Sequence, residues 1–219
     1  FGNPSSRHQK GVVAEGYIKE ARQKIAATLK VDPKELIITS GGTESNNMAL
    51  IGTALAAKRK GNHIITTAVE HPSVKATASF LEEQGFRITF LSVDSRGQIS
   101  LEELKEALTP DTILVSIMYV NNEIGTIQPI EEAAKLVHAT ALGAVFHVDA
   151  IQAYGKVLIR PKQQGIDLLS VSSHKFHGPK GAGFLYCSSK VNLHPIIFGG
   201  GQQSGMRSGT ENVPGAAGM

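Results

Sequence analysis

Apolar positions along the chain alternate between helical and strand spacing. From Tyr17 to Leu29 they recur every three or four residues, and this pattern ends at the turn signal Asp32-Pro33. The segment Glu-Leu-Ile-Ile-Thr at 35–39 predicts a short buried strand, which is followed by a glycine turn at 40–43 and a helical pattern from 44 to about 60. The later segments predict strand 63–67, helix 73–84, strand 87–91, helix 101–108, strand 112–118, helix 130–141 and strands 144–148, 166–172 and 183–187.

The repeated order of strand and helix predicts the fold class. It is typical of an α/β protein with three layers, in which a mainly parallel central sheet is covered by helices on both faces. A chain of 219 residues can bury one large core, and we expect residues 1–219 to form a single domain. The composition, with 41% hydrophobic and 19% charged residues, is typical of a globular protein.

Charge and cysteine content narrow the classes of function. The net charge is +3, and the 22 basic residues are scattered among 19 acidic ones, so a nucleic-acid partner is not expected. A single cysteine, Cys187, excludes an internal disulfide and a cysteine-rich zinc site, and it favours a reducing compartment such as the cytoplasm. We expect neither a signal peptide nor a membrane span, although the first residues lack an initiator Met and resemble the middle of a protein.

Polar clusters follow the predicted strands at their carboxyl ends. Ligands of open parallel sheets bind beyond these ends, where the loops lead into helices. The clusters lie at 42–44, 70–71, 121–123, 149–152 and 172–175. Solvated loops alone are a poor explanation for five clusters in equivalent positions, so we expect a ligand site at this edge of the sheet.

Lys175 follows the predicted strand 166–172 and precedes a stiff turn at 176–181. This position places it at the mouth of the expected ligand site. A lysine amine with a lowered pKa is nucleophilic, and a carbonyl-bearing cofactor captures it as an imine. Taken alone, Lys175 would be an ordinary surface lysine, but its surroundings favour a role in holding a cofactor.

Asp149 ends the predicted strand 144–148, where a carboxylate can face the pyridine nitrogen of a cofactor. A ring whose nitrogen stays protonated is an electron sink for a substrate carbanion. Gln152, one helical turn further on, is placed to donate a hydrogen bond to the ring's phenolic oxygen. The alternative is that Asp149 only caps a following helix, as an aspartate at a strand end often does.

The glycine turn at 40–43 opens a predicted helix and can bind a phosphate group. Free backbone N–H groups at a helix start, Gly42 among them, attract anions with the help of the helix dipole. The turn lacks the Walker form, and glycine turns before helices are common, so the signal is weak alone. Ser172, His174 and the distant Thr210 are candidate additional donors.

His71 is a candidate for stacking on a planar ring and for moving protons, although a lone loop histidine is more often structural.

Six motifs occur in an ordered set that spans the whole chain. They are Gly-Gly-Thr-Glu-Ser-Asn-Asn at 41–47, Glu-His at 70–71, Val-Asn-Asn-Glu-Ile-Gly at 120–125, His-Val-Asp-Ala-Ile-Gln at 147–152, Ser-Ser-His-Lys at 172–175 and Arg-Ser-Gly-Thr-Glu-Asn at 207–212. Together they resemble the cysteine desulfurases of the nitrogen-fixation and iron-sulfur-cluster type, within the class V aminotransferase family. The resemblance implies the cofactor pyridoxal 5'-phosphate and the large domain of the pyridoxal-phosphate-dependent transferases.

The resemblance also implies roles for residues near the cofactor ring. Lys175 matches the Schiff-base lysine, and His71 matches the histidine that stacks on the ring and acts in catalysis. Asp149 matches the partner of the pyridine nitrogen. Gln152 and Asn122 match groups near the ring's oxygen and the substrate.

The phosphate ligands and the assembly are implied in the same way. Thr43, Ser172 and His174 match the family's phosphate ligands. Thr210 matches a threonine that reaches the phosphate of the neighbouring subunit, so the resemblance implies a homodimer. A sulfur-acceptor or scaffold protein is implied as a further partner.

Members of this family take L-cysteine as substrate, withdraw its α proton and pass its sulfur to an active-site cysteine as a persulfide, releasing alanine. The resemblance places that cysteine, and an arginine that binds the substrate carboxylate, in a C-terminal small domain outside these residues, and it places a short N-terminal segment before them. Cys187 does not match the catalytic position and is expected to be a small packed side chain. The chain alone is therefore expected to be inactive.

Two alternatives remain open from the sequence. Another fold-type-I pyridoxal-phosphate activity, such as that of a selenocysteine lyase or a transaminase, would use the same lysine, aspartate and phosphate turn. A non-catalytic module that keeps the fold for binding or dimerisation is the second. No metal site is expected in either case.

Overall fold

Seven strands form one sheet in the computed structural model, which describes residues 2–219. The strands are β1 (Leu36–Thr39), β2 (His63–Thr67), β3 (Arg87–Leu91), β4 (Thr112–Met118), β5 (Val145–Asp149), β6 (Leu168–Ser172) and β7 (Gly183–Cys187). Their order across the sheet is β1-β7-β6-β5-β4-β2-β3. All neighbouring pairs are parallel except the two that contain β7, which is antiparallel to β1 and β6. The prediction of a mainly parallel sheet is confirmed.

Helices cover both faces of the sheet. They are α1 (Gln9–Leu29), α2 (Gly42–Ala57), α3 (Pro72–Glu83), α4 (Leu101–Ala107), α5 (Ile130–Thr140), α6 (Pro161–Gln164) and α7 (Val213–Ala217). Buried side chains of α1, α5 and α7 belong to one hydrophobic cluster with the sheet, and those of α2 and α3 belong to a second. The three-layer α/β/α architecture is therefore confirmed.

The strands at the centre of the sheet are continuously buried because helices pack on both of their faces. Every residue of β4 and β6 is buried, as expected for parallel strands inside a three-layer protein. The register aligns Met118 of β4 with Asp149 of β5, and Asp149 with Ser170 of β6. The carboxyl ends of these strands consequently lie side by side at one edge.

Most element boundaries lie within three residues of the predicted ones, but α1 begins at Gln9, eight residues before the predicted start at Tyr17. Strands β2, β3, β4 and β7 have the predicted limits. Strand β5 is shifted by one residue and includes Asp149, and the predicted strand 166–172 begins only at Leu168. Helices α6 and α7 and three short 3-10 helices were not predicted. Within residues 2–219, no helix has both the length and the apolar character needed to cross a bilayer.

Candidate active site

A cavity of about 270 Å³ opens at the carboxyl ends of β4, β5 and β6. Its lining consists of Gly42, Thr43, His71, Met118, Val120, Asn122, Asp149, Ile151, Gln152, Ser172, His174 and Lys175. The structure thus brings together all of the predicted site residues except Thr210. A larger cavity of about 630 Å³ lies beside β1 and contains none of them. We take the smaller cavity as the candidate site because the residues predicted to bind a cofactor converge there.

Lys175 reaches this cavity from a 3-10 helix, Ser173–Phe176, that follows β6 directly. The helix is closed by His177, which adopts a left-handed conformation with φ of 69°. A backbone bond of 3.0 Å from the N–H of Ser173 to the carbonyl of Ala182 joins it to the start of β7. Lys175 is exposed, yet it lines the same cavity as Asp149. Its amine is therefore available to a ligand at the cavity opening, as the sequence predicted.

Asp149 is the buried acidic group of the cavity, with 4% of its surface exposed. Its Oδ1 accepts the N–H of Ile151 at 3.0 Å, and its Oδ2 accepts the Nδ2 of Asn46 at 2.8 Å. Burial raises the pKa of Asp149 above its usual range, and these two bonds offset that effect only in part. A cationic ligand group beside the carboxylate would favour its charged form.

The segment after Asp149 differs from the sequence expectation. Residues 151–156 form consecutive turns, so Gln152 does not lie one helical turn beyond Asp149, and Asp149 does not cap a helix. Gly155, with φ of 80°, adopts a left-handed backbone that interrupts any helix here. Gln152 nevertheless lines the cavity, and its Oε1 accepts the Nζ of Lys156 at 3.3 Å.

The N-terminus of α2 supplies backbone donors to the cavity. The first intrahelical bond runs from Ser45 N–H to the carbonyl of Gly41 at 3.1 Å, so the N–H groups of Gly42 and Thr43 precede the helical ladder. Beside them, Ser172 Oγ and His174 Nδ1 lie 3.0 Å apart. This donor set, together with the helix dipole, suits a phosphate group.

An ion pair holds the first turn of α2. Glu44 binds the guanidinium of Arg207 through two bonds of 2.7 and 3.1 Å, and it also accepts the N–H of Ser40 at 2.9 Å. Burial works against ionisation of Glu44, but the bonds from Arg207 and Ser40 outweigh it and lower the pKa of Glu44. The carboxylate thus ties the glycine turn to the segment that contains Arg207.

His71 occupies the N-cap position of α3 and has a defined tautomer. Its Nδ1 accepts the backbone N–H of Ser73 at 3.1 Å and lies 2.8 Å from Ser73 Oγ. Because Nδ1 acts as an acceptor, the proton of the neutral ring is on Nε2. Asn122, the remaining predicted residue of the cavity, is exposed and donates to Glu123.

Three buried polar residues of the site were not assigned roles from the sequence. Asn46 and Ser73 are hydrogen-bonded to Asp149 and His71, and Glu70 lies in the loop before His71. The available signal for Asn46 is its place in the polar first turns of α2, before the apolar part of the helix. Glu70 was visible only as the neighbour of His71.

Thr210 and Cys187 lie away from the cavity. Thr210 is exposed and does not line it, which leaves its predicted contact with a neighbouring subunit untested. Cys187 is partly buried and lines the larger cavity beside β1. Burial, reinforced by the charges of Glu35 and Asp167, raises the pKa of Cys187 to about 12. Such a thiol is a poor nucleophile at neutral pH, consistent with a packed side chain.

Comparison with known proteins places this site in a family. The profile described as "Aminotransferase class-V" matches residues 1–219. The chain belongs to the class V aminotransferase family. "Cysteine desulfurase IscS" of Dictyoglomus turgidum is 51% identical over this entire chain, which covers 55% of that protein. The homologue of the same name from Methanosarcina thermophila is 49% identical, with 54% of its length covered. The chain therefore spans about half the length of the curated relatives it matches.

Two solved structures share the fold closely. A structure described as "NIFS-LIKE PROTEIN" superposes with a TM-score of 0.97 at 45% identity, and the match covers 99% of this chain and 60% of that one. A second, described as "SspA in complex with cysteine", gives a TM-score of 0.94 at 42% identity and covers 100% and 63% of the two chains.

Class V aminotransferases and the cysteine desulfurases among them use pyridoxal phosphate, and the residues of this cavity fit that cofactor. Its phosphate matches the backbone donors of Gly42 and Thr43 with Ser172 and His174 beside them. Its pyridine nitrogen matches the buried carboxylate of Asp149, whose two resident bonds leave lone pairs for a further donor. Its aldehyde matches the amine of Lys175.

Proposed function

We propose that the chain is the cofactor-binding part of a pyridoxal-phosphate-dependent cysteine desulfurase that acts as a homodimer. The observation that carries the proposal is that a lysine, a buried carboxylate and a helix N-terminus line one cavity at the carboxyl edge of the sheet. The names of the relatives support the reaction, and the structural neighbour SspA is described as a complex with cysteine. L-cysteine is therefore the proposed substrate.

Five residues of the cavity have defined tasks in this proposal. Lys175 holds the cofactor through its aldehyde, and Asp149 keeps the ring nitrogen protonated. Pyridoxal phosphate supplies an electron sink for the bond changes at the substrate's α and β carbons. Asn122 and Gln152 donate hydrogen bonds to oxygen atoms of the cofactor and substrate. The Nε2 of His71 is the site at which a proton is held or moved.

The proposed overall reaction converts L-cysteine and a thiol into L-alanine and a persulfide. The carbon–sulfur bond of the substrate breaks, a sulfur–sulfur bond forms on the accepting thiolate, and the α-amino acid product gains a proton at its former CH₂ carbon. Cys187, the only cysteine in the sequence, is not the proposed acceptor because it lies outside the cavity and its thiol resists ionisation. The acceptor is thus a thiol outside these 219 residues.

We further propose a cytoplasmic setting and a role in iron–sulfur cluster or thio-cofactor assembly. A persulfide is consumed by thiols that receive its outer sulfur, so a sulfur-acceptor or scaffold protein is the expected partner. The reducing environment keeps such thiols available. The presence of IscS-named proteins among the relatives supports this role.

The test is cofactor capture by Lys175. Pyridoxal phosphate added to the purified chain should produce visible absorbance, and borohydride reduction should fix the cofactor covalently to the peptide that contains Lys175, as read by mass spectrometry. Lys175→Ala should lose the reducible link. The control Lys190→Ala removes an exposed lysine outside the cavity and should keep it. A wild-type chain that gives no adduct, or an adduct on another lysine, would refute the proposal.

A further inference from the structure

A buried chain of hydrogen bonds joins Asp149 to His71. Asn46, on α2, has none of its surface exposed, and its Nδ2 donates to Asp149 Oδ2 at 2.8 Å and to Ser73 Oγ at 2.9 Å. Ser73, in the first turn of α3 and also buried, places its Oγ 2.8 Å from His71 Nδ1. One asparagine therefore connects two residues of the cavity without lining the cavity itself.

The direction of each bond in this chain follows from the donor inventory. An ionised carboxylate only accepts, so Asn46 must present its N–H group to Asp149. The second N–H of the same amide donates to Ser73 Oγ, which leaves the Ser73 hydroxyl hydrogen for His71 Nδ1. That nitrogen already accepts the backbone N–H of Ser73 at 3.1 Å. All of the donors therefore point toward Asp149 on one side and His71 on the other.

The amide of Asn46 is held by these two donations. Its Oδ1 is buried and, among residues 2–219, has no hydrogen-bond partner. Turning the amide over would place this oxygen against the carboxylate of Asp149, which a buried site disfavours strongly. The orientation of Asn46 thus depends on Asp149 being an acceptor, and the orientation of the Ser73 hydroxyl depends on Asn46.

We infer that Asn46 is a positioning residue that couples Asp149 to His71 through Ser73. This inference rests on the proposed function for its meaning, because Asp149 faces the cofactor ring and His71 lies beside it. Hydrogen bonds that form a chain in a dry interior polarise one another. A change of charge at Asp149 therefore alters the strength of the hydrogen bond between Ser73 and His71 Nδ1. The hydrogen bonding of the Asp149 carboxylate and that of the His71 imidazole then change together rather than independently.

The first test uses the cofactor-free chain and the ¹⁵N resonance of His71 Nδ1. Asn46→Leu keeps the branched side-chain skeleton and removes both donations, so the resonance should move although the side-chain bonds of Asn46, among residues 2–219, go to Asp149 and Ser73. Ser73→Ala, which removes the direct partner, should move it further. The matched control is Asn47→Leu, since Asn47 is the next residue of α2 and its side chain, within the described residues, donates to the carbonyl of Thr43. An unchanged His71 resonance in Asn46→Leu overturns the inference.

A second substitution protects the test against misfolding. Asn46→Asp keeps the shape of the side chain but replaces a donor with an acceptor, so the Ser73 hydroxyl turns from His71 toward the new carboxylate. The His71 resonance should move in this variant as well. Circular dichroism and a dispersed amide spectrum identify which variants are folded, and an unmoved resonance in either folded variant counts against the coupling.

The second test is a double-mutant cycle on pyridoxal phosphate affinity. Asn46→Leu should weaken binding about tenfold, the cost of leaving the Oδ2 of the buried Asp149 carboxylate without its donor. In a His71→Ala background the same substitution should cost at least about threefold less, because one end of the chain is already absent. The cycle of Asn47→Leu with His71→Ala should be additive. Additive effects of Asn46→Leu and His71→Ala would overturn the inference, because they would show that Asn46 acts on Asp149 alone. If the wild-type chain binds no cofactor, the proposed function fails, and the resonance test still decides the coupling.

Discussion

Glu70 is a second buried carboxyl close to Asp149. Only 3% of its surface is exposed. Its Oε1 accepts the N–H of Met118 and the hydroxyl of Thr67, both at 2.8 Å, while its Oε2 has no partner within the described residues. Burial, and then the negative charge of Asp149, raise the pKa of Glu70 to about 8. Glu70 therefore keeps its proton at neutral pH, which leaves Asp149 as the member of the pair that ionises.

This protonation predicts a pH-dependent stability. The unfolded chain releases the Glu70 proton near its ordinary pKa of 4.5, whereas the folded chain retains it to about 8. The unfolded state therefore binds fewer protons between these values, and rising pH destabilises the fold by up to about 1.4 kcal/mol per pH unit. Glu70→Gln removes this contribution. Denaturant unfolding from pH 4.5 to 8 should show the variant gaining stability relative to wild type as pH rises.

The control for Glu70 is another carboxyl whose removal should have no such effect. Glu83→Gln changes an exposed side chain at the end of α3. Its stability difference from wild type should stay constant over the same pH range. A constant difference for Glu70→Gln as well would mean that Glu70 is ionised in the folded chain and that Asp149 shares its site with a second negative charge.

The start of α2 depends on a backbone conformation that only glycine adopts readily. Gly41 has φ of 144° and ψ of −171°, a combination that costs other residues about 1–3 kcal/mol. The turn is also closely packed, since a Cβ on Gly183 of β7 would lie 2.7 Å from the Gly41 Cα. The N–H groups proposed to bind phosphate are directed by this turn.

Gly41→Ala should therefore reduce both stability and cofactor affinity. We expect a loss of about 1–3 kcal/mol in the free energy of unfolding. Weaker pyridoxal phosphate binding should accompany it, because the α2 donors shift. Gly16→Ala is the matched control: Gly16 is exposed within α1, has open space around its Cα, and should gain about 0.5–1 kcal/mol on substitution. Equal effects of the two substitutions would contradict a special role for the turn.

At the level of elements, the sequence predicted best where side-chain periodicity was long. Helices such as α1 and α5 span several turns, and the fully buried, largely apolar strand β4 follows the turn residues Pro110 and Asp111. Helix α6, with four residues, and α7, with five, are too short for a 3.6-residue period to be visible. Their formation depends on proline at the first turn and on tertiary contacts.

At the level of the whole molecule, the candidate site was predictable because of topology. Parallel strands present their carboxyl ends at one edge, so polar residues that follow successive strands must converge. The bond between Asn46 and Asp149 was not predictable, since it joins residues 103 positions apart on a helix and a strand. The proton on Glu70 likewise depends on burial and on a neighbouring charge, which the linear sequence does not display.

The assembly of two chains remains a prediction, and Thr210 is the residue on which it depends. The segment before Thr210 is fixed to α2 by the ion pair between Arg207 and Glu44. Thr210 itself is exposed and lies outside the cavity of its own chain. A hydroxyl in this position is free to reach the phosphate site of a second copy. Cofactor binding and dimerisation should then be linked.

Thr210→Ala tests this linkage. A hydrogen bond to a charged phosphate is worth about 1.5–3 kcal/mol, so the variant should bind pyridoxal phosphate at least about tenfold more weakly when the chain is concentrated. Dilution below the dimer dissociation constant, determined by sedimentation, should weaken binding in wild type but leave the variant unchanged, because only wild type loses a partner's donor. Ser95→Ala, an exposed hydroxyl in the loop between β3 and α4, should behave as wild type. Wild-type affinity that is independent of chain concentration would show that each cavity is complete within one chain.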